Sequence, residues 1–223
     1  MTIKLFFQAL TKFLAGLVLV GVLLFIPAGT LAYWQAWLFI ALLVVPMFVV
    51  GLILMFRQPE LHRKRLDAKE KQEEQKWVVA LSGLMFLAMF VVAGFNRRFQ
   101  WCLLPDWAVY VASVVFLIGY ALYAEVLREN VWLSRTIEVQ EHQNVIDTGL
   151  YGIVRHPMYA ATLLLFLAMP LVLASPISFL IMLLYIPIIA KRIRNEEAVL
   201  DQGLEGYTEY KQRVRYKVIP FVW

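Results

Sequence analysis

Apolar residues occur in six long runs along the chain, separated by shorter segments that hold most of the charged positions. A helix needs about 20 apolar residues to cross roughly 30 Å of hydrocarbon. The first four runs meet this length, whereas the last two are shorter and adjoin at Ser175 and Pro176, which is typical of a helical hairpin that need not cross fully. The pattern predicts an all-α, polytopic membrane protein with five to six transmembrane helices. The runs cover residues 6–26, 34–56, 77–95, 107–127, 157–174 and 176–190.

Composition and charge placement agree with this prediction. Hydrophobic residues make up 61% of the chain and its mean hydropathy is +0.69, whereas soluble domains are about 45–50% apolar. Of the 21 Lys and Arg residues, only Arg97 and Arg98 fall in segments that lie outside if both termini are cytoplasmic, as the positive-inside rule requires. We therefore expect an integral protein of a bacterial inner membrane with cytoplasmic termini. The net charge of +5 then reflects topology, which argues against nucleic-acid binding.

Several polar or small residues in the first 130 positions have structural interpretations. The charged segment 57–76, which includes His62, is expected to be a solvated, helical cytoplasmic connector. Glu125, near the end of the fourth run, either extends toward the membrane interface or lines the same cavity as His156. Small residues are expected to permit close packing of the first helices, namely at Gly16, Gly21, Gly83 and Gly94.

The segment 149–159 (GLYGIVRHPMY) holds an arginine and a histidine at the start of a very apolar run. Proline suits the first position of a helix and pushes the preceding residue out of helical φ/ψ, so His156 is expected to be the N-cap. Free N–H groups of Met158, Tyr159 and Ala160 would then face an open pocket and attract an anion at the positive end of the helix. Ionisable groups at a membrane boundary are costly, which makes this segment a candidate site.

A second candidate cluster follows the hairpin. Arg192 and Glu196 are four residues apart and share a helix face at the membrane boundary, where an unpaired charge is costly. The three histidines are scattered along the chain, so a metal site is not expected. The sequence holds neither a Gly-rich dinucleotide motif nor a P-loop, and no serine or cysteine stands beside an activating base. A helix start, tyrosine faces, a carboxylate and an arginine suit a small zwitterionic cofactor that bears a cation and an adenine.

These residues resemble a known family. The pattern GLYxxVRHPMY, an apolar hairpin, RxxxEE and then GYxEYxxRVRYxxIPFVW is similar to the isoprenylcysteine carboxyl methyltransferase (ICMT) family of integral membrane methyltransferases, which is related to the phospholipid methyltransferases. The resemblance implies S-adenosylmethionine as methyl donor, bound without a Rossmann fold. It implies catalytic roles for Arg192, which would bind the acceptor carboxylate, and for Glu196. The implied cofactor contacts are Gln143, Asn144, Val145, Ile146, Tyr151, His156, Pro157, Met158, Tyr159 and Glu196, with Gln140 as a further candidate.

We therefore expect N-terminal transmembrane helices in residues 1–127 and a methyltransferase core in 128–223, made of an interfacial arm (residues 131–146), the RHPMY helix, the hairpin and a basic-aromatic tail. The expected reaction transfers a methyl group to the carboxylate of a lipid-like or prenylated acceptor, with the lipid bilayer as the other partner. N-methylation of a phospholipid or other amine, and a non-enzymatic transporter, stay open as alternatives. The tail 207–223 is either an interfacial strap or a cover that closes the cofactor pocket. The oligomeric state is open.

Overall fold

The computed structural model describes residues 3–57, 73–133 and 139–223. These ranges consist of helices and connecting turns, with no β-strand among them. His62 and most of the predicted connector 57–76 lie outside the described residues. The elements are α1 (Ile3–Ala28), α2 (Trp34–Arg57), α3 (Glu73–Phe99), α4 (Asp106–Glu129), a 3₁₀ turn (Gly149–Gly152), α5 (Pro157–Val172), α6 (Pro176–Met182), α7 (Tyr185–Gly203) and α8 (Tyr207–Arg213).

Within the described ranges, five stretches are long and apolar enough to cross a membrane. The sixth apolar helix, α5, has 16 residues, which correspond to about 24 Å at 1.5 Å per residue. The predicted all-α membrane fold with five to six apolar helices is therefore confirmed. The five long stretches are Leu10–Ala28, Trp34–Leu52, Trp77–Phe99, Asp106–Glu129 and Pro176–Gly203.

The second arm of the predicted hairpin is longer than its apolar run. Hydropathy predicts an end at residue 190, but after a short interruption at Leu183 and Leu184 the helix α7 continues through charged residues to Gly203. Arg, Glu and Leu all have high helix propensity, so the helix need not stop where hydropathy falls. Arg192 and Glu196 therefore lie on one helix that begins among apolar residues.

Helix α5 is the centre of the bundle. It contacts α2, α3, α4, α6 and α7, and its buried residues, such as Leu163, Leu165 and Ala168, lie on several faces. A helix that is apolar all round is buried rather than amphipathic. Helix α4 approaches α5 closely at Gly119, where an added Cβ would lie 2.8 Å from Leu165 Cγ. This packing fixes α5, whose first residues belong to the candidate motif.

The turns that follow α1, α3 and α5 meet at one end of the bundle. The Tyr33 hydroxyl donates to the Leu173 carbonyl (2.7 Å), and the Leu104 amide donates to the Ala174 carbonyl (3.2 Å). The Arg97 guanidinium lies 5.9 Å from the centroid of the Tyr33 ring. The start of α5 and the charged half of α7 lie at the opposite end, so the candidate residues share one end of the bundle.

Close helix packing occurs at one of the four predicted glycines. A Cβ on Gly94 would lie 2.7 Å from the Leu24 carbonyl oxygen, so α1 and α3 meet there through backbone atoms. Around Gly16 and Gly83 no described atom outside the local backbone comes within 4 Å of such a Cβ, and the nearest atom to Gly21 belongs to its own helix. The packing prediction is wrong for these three glycines, because they lie at or near the outer surface of the bundle.

Replacing Gly94 with alanine should destabilise the protein, because the added methyl group would overlap the backbone of α1. Overpacking of this kind typically costs about 1–3 kcal/mol. Gly83→Ala is the matched control on the same helix: its space is open, and alanine favours a helix over glycine by about 1 kcal/mol. Thermal unfolding of both variants in detergent, followed by circular dichroism, should give a lower Tm for Gly94→Ala only. Equal melting temperatures would contradict the close contact.

Candidate active site

Helix α5 starts as the sequence predicts, but its first N–H groups are not all open. His156 is the N-cap, with φ −125° and ψ 63°, and proline follows at the first helical position. The amides of Tyr159 and Ala160 donate to the His156 carbonyl at 3.0 and 3.2 Å. The expectation that these two N–H groups face an open pocket is therefore wrong, because the first turn of the helix satisfies them. The His156 side chain makes no cap hydrogen bond and points to other partners.

Arg155 binds the C-terminal segment, residues 214–223, and holds it against the start of α5. Its side chain is 7% exposed, and Nη1 donates to the carbonyls of Val214 and Arg215, both at 2.8 Å. The backbone adds two further bonds, from the Arg155 amide to the Tyr216 carbonyl (2.9 Å) and from the next amide to the Lys217 carbonyl (2.8 Å). These contacts hold residues 214–217 beside the α5 motif.

Glu197, on α7, is the buried anion at this junction. Its Oε1 accepts from Arg155 Nε at 2.9 Å and lies 3.3 Å from His156 Nε2, while its Oε2 accepts from Lys217 Nζ at 2.6 Å. Three basic side chains from two separate segments therefore converge on one carboxylate that is 10% exposed. Removing one partner of a buried ion pair typically costs about 3–5 kcal/mol, so Glu197 holds α7, the α5 motif and the C-terminal segment together.

Glu196 faces a different direction from its neighbour. The Tyr159 hydroxyl donates to Glu196 Oε2 at 2.5 Å, and Arg192 Nε donates to the same hydroxyl oxygen at 3.1 Å. Arg192 and Glu196 thus share a helix face, as their spacing predicts, and Tyr159 bridges them. The His156 ring lies 5.6 Å from the Tyr159 ring, centroid to centroid. This cluster combines a guanidinium, a carboxylate, an imidazole and a phenol.

The cluster forms one wall of a mixed polar and aromatic pocket. The structure brings ten of the sequence-predicted site residues into its lining, namely Gln143, Asn144, Val145, Ile146, Tyr151, His156, Met158, Tyr159, Arg192 and Glu196. Pro157 is buried and does not line the pocket. The lining residues that sequence reasoning did not name as contacts are Asn130, Trp132, Leu133, Arg155, Leu200, Leu204, Tyr207 and Tyr210. The GYxEY motif was a signal for the last two, which support the pocket-cover interpretation of the tail.

The described part of the interfacial arm positions one side of the pocket. Asn130 Nδ2 donates to the Tyr151 hydroxyl at 2.8 Å, and Asn130 Oδ1 accepts from the Trp132 amide at 2.9 Å. Gln140 does not line the pocket: its amide donates to Gln143 Oε1 (2.9 Å) and its side chain to the Trp132 carbonyl (2.5 Å). Gln140 therefore links two parts of the arm. Residues 134–138 of the arm lie outside the described ranges.

Glu125 lies apart from the pocket. Its side chain is 40% exposed and forms a bidentate salt bridge with Arg128 Nε and Nη2 at 2.8 and 2.5 Å. It is not among the pocket-lining residues. Of the two interpretations that the sequence left open, the structure favours the interfacial carboxylate.

A second cavity, of about 740 Å³, runs along α4 and α5 and is lined almost wholly by apolar side chains. Trp107 of α4, Leu164 of α5 and Trp223 of the C-terminal segment are among them. Ala160 lines this apolar groove, whereas the preceding Tyr159 lines the polar pocket. The two cavities therefore border the same first turn of α5, a polar one beside an apolar one.

Known proteins are similar in sequence to the part of the chain that forms the pocket. The sequence profile of the isoprenylcysteine carboxyl methyltransferase (ICMT) family matches residues 108–202, a range that holds every pocket-lining residue except Leu204, Tyr207 and Tyr210. Protein-S-isoprenylcysteine O-methyltransferase B of Arabidopsis thaliana is 29% identical over 150 residues, which are 57% of this chain and 76% of the plant protein. Delta(14)-sterol reductase TM7SF2 of Mus musculus is 30% identical over 91 residues, which are 40% of this chain and 22% of the mouse protein.

The whole fold also matches a solved structure. The eukaryotic intramembrane Ras methyltransferase ICMT aligns with a TM-score of 0.59 over 93% of this chain and 75% of that chain, at 19% sequence identity. At this identity the likeness concerns the fold, and it extends to the N-terminal helices, which carry no family motif. The chain is therefore similar to the ICMT family of membrane methyltransferases over the residues that form most of the polar pocket.

Proposed function

We propose that the polar pocket binds S-adenosylmethionine and that the protein transfers the methyl group to the carboxylate of a lipid-like or prenylated acceptor. The observation that carries the proposal is the Arg192–Tyr159–Glu196 cluster in the pocket wall, beside an apolar groove at the first turn of α5. The name of the Arabidopsis relative, an isoprenylcysteine O-methyltransferase, supports a carboxylate acceptor.

The donor set of the pocket fits this methyl donor. The Glu196 carboxylate suits an ammonium or ribose hydroxyl, and the faces of Tyr151 and Tyr159 suit a sulfonium through cation–π attraction of about 0.5–2 kcal/mol. The polar and apolar residues of 143–146 suit the edge and face of an adenine. His156 and Met158 complete the proposed contacts at the start of α5. When bound, S-adenosylmethionine supplies an electrophilic methyl carbon.

The remaining work of the protein is orientation. A carboxylate acceptor is ionised at neutral pH, so no general base is required. The planar guanidinium of Arg192 can bind a carboxylate through two parallel hydrogen bonds. Tyr159 accepts from Arg192 and donates to Glu196, which keeps the proposed acceptor group and the proposed cofactor group on one rigid wall. Holding two reactants about 3–3.5 Å apart in line can lower a barrier by roughly 7–11 kcal/mol.

The apolar groove supports a lipophilic acceptor. Its apolar lining along α4 and α5 suits an extended hydrocarbon chain. Ala160 lines the groove one residue after Tyr159, so a chain in the groove would present its polar head near Arg192. We further propose that the pocket opens on the cytoplasmic side of a bacterial inner membrane, because the charge bias of the sequence favours that orientation.

N-methylation of an amine is less well supported. An ammonium acceptor must lose a proton before it can attack, which requires a base in the pocket. Glu125 lies outside the lining, and Glu196 already accepts the short hydrogen bond from Tyr159. Carboxylate methylation avoids this requirement.

Purified wild-type protein should bind S-adenosylhomocysteine, the demethylated product, in isothermal titration calorimetry. Glu196→Ala and His156→Ala should weaken binding by roughly 10- to 100-fold, since each removes a charged or aromatic contact. Because His156 also lies beside Glu197, the melting temperature of each variant must be measured alongside. No binding by a folded wild-type protein would refute the proposed function.

Arg192→Lys should preserve affinity for S-adenosylhomocysteine but lower turnover by about tenfold or more, because lysine cannot reproduce the planar fork. Turnover is measured as transfer of a labelled methyl group from S-adenosylmethionine to an S-farnesylated N-acetylcysteine and, in parallel, to a membrane lipid extract. A loss of cofactor affinity with normal turnover would show that the acceptor role of Arg192 is wrong.

Glu125→Gln should leave methyl transfer at neutral pH unchanged within about twofold, because this carboxylate is paired with Arg128 outside the pocket and exposed pairs contribute little. The same labelled-methyl assay serves. A steep fall in rate at neutral pH would favour the amine acceptor, with Glu125 as the base.

A further inference from the structure

Tyr207 is a buried residue whose hydroxyl lacks a hydrogen-bond partner among the residues that the structure describes. It opens α8 directly after Gly206, which has φ +80°, a conformation that favours glycine. The side chain is only 4% exposed and lines the polar pocket. A buried hydroxyl without a partner has lost its hydrogen bonds to water and gained none, so such a group needs a reason to persist.

The neighbouring tyrosine shows that the fold can satisfy a hydroxyl in the same place. Tyr210 packs against Tyr207 with ring centroids 5.8 Å apart, and both belong to one apolar cluster. The Tyr210 hydroxyl donates to the Tyr151 carbonyl at 2.8 Å. Both tyrosines line the polar pocket, and of the two only Tyr207 has a hydroxyl without a partner among the described residues.

The surroundings indicate what this hydroxyl would bind. Burial raises the pKa of the Tyr207 phenol above its usual range, and the carboxylates of Glu197 and Glu196 raise it further, so the phenol stays protonated and acts as a donor. The same carboxylates disfavour an anionic partner. Leu204, Val145 and the Tyr210 ring surround Tyr207 with apolar surface, which suits a flat aromatic base better than a charged amino-acid group.

From this geometry we infer that Tyr207 is a ligand-binding residue whose hydroxyl donates a hydrogen bond to a neutral acceptor on the nucleoside half of the methyl donor. The inference rests on the proposed function, because it assigns a further contact within the same pocket. The hydroxyl thus gains its partner only when the pocket is filled.

The test compares Tyr207→Phe with wild type in full-length protein, using two probes. S-adenosylhomocysteine carries both halves of the ligand, whereas 5′-methylthioadenosine lacks the amino-acid half. Tyr207→Phe should weaken both by a similar factor of about 3- to 10-fold, the loss of one hydrogen bond. Without ligand, the variant should melt at or above the wild-type temperature, because it removes an unsatisfied polar group.

Tyr120→Phe is the matched control, since the Tyr120 hydroxyl donates to the Leu43 carbonyl at 3.1 Å, outside the pocket. It should lower the melting temperature and leave both affinities unchanged. Wild-type affinity in Tyr207→Phe, a loss for S-adenosylhomocysteine alone, or a lower ligand-free melting temperature would each overturn the inference while the proposed function stands. If wild type binds neither probe, the proposed function fails and this inference fails with it.

Discussion

The buried carboxylate of Glu197 is the interaction on which the candidate site depends. It pairs with Arg155 and Lys217 and lies beside His156, and these side chains come from the start of α5 and from the C-terminal segment. A carboxylate out of water must be paired, because its desolvation costs several kcal/mol. The pairing therefore fixes α7 relative to the start of α5 and the C-terminal segment. The start of α5 and α7 together form the wall of the pocket that contains Glu196 and Tyr159.

The adjacent residues Glu196 and Glu197 contact different partners at this junction. Consecutive residues on an α-helix point about 100° apart, so Glu197 faces the basic cluster while Glu196 faces the pocket and accepts from Tyr159. One carboxylate pairs with the basic cluster, and its neighbour lines the pocket. Arg192, one turn earlier, joins Glu196 on the pocket face through the same tyrosine.

The membrane explains why a polar pocket and an apolar groove lie side by side. Ionisable groups are costly within hydrocarbon, so they gather at one end of the bundle, while α4 and α5 offer apolar surface along their length. Their common border at Tyr159 and Ala160 is where a water-soluble methyl donor and a lipophilic acceptor would meet. The cost of burying charge in hydrocarbon thus accounts both for the polar end of the bundle and for the position of the proposed reaction.

The sequence by itself determined the apolar helices, the N-cap at His156 and ten of the residues in the pocket lining, because hydropathy, proline and a family motif are local signals. Only the tertiary structure decided that the Tyr159 and Ala160 amides are satisfied, that Gly83 faces outward and that Gly94 does not. It also decided the pairing of Arg155 with Glu197 and the unsatisfied hydroxyl of Tyr207. These features depend on how segments far apart in the chain pack together, and no local pattern encodes which buried polar group will find a partner.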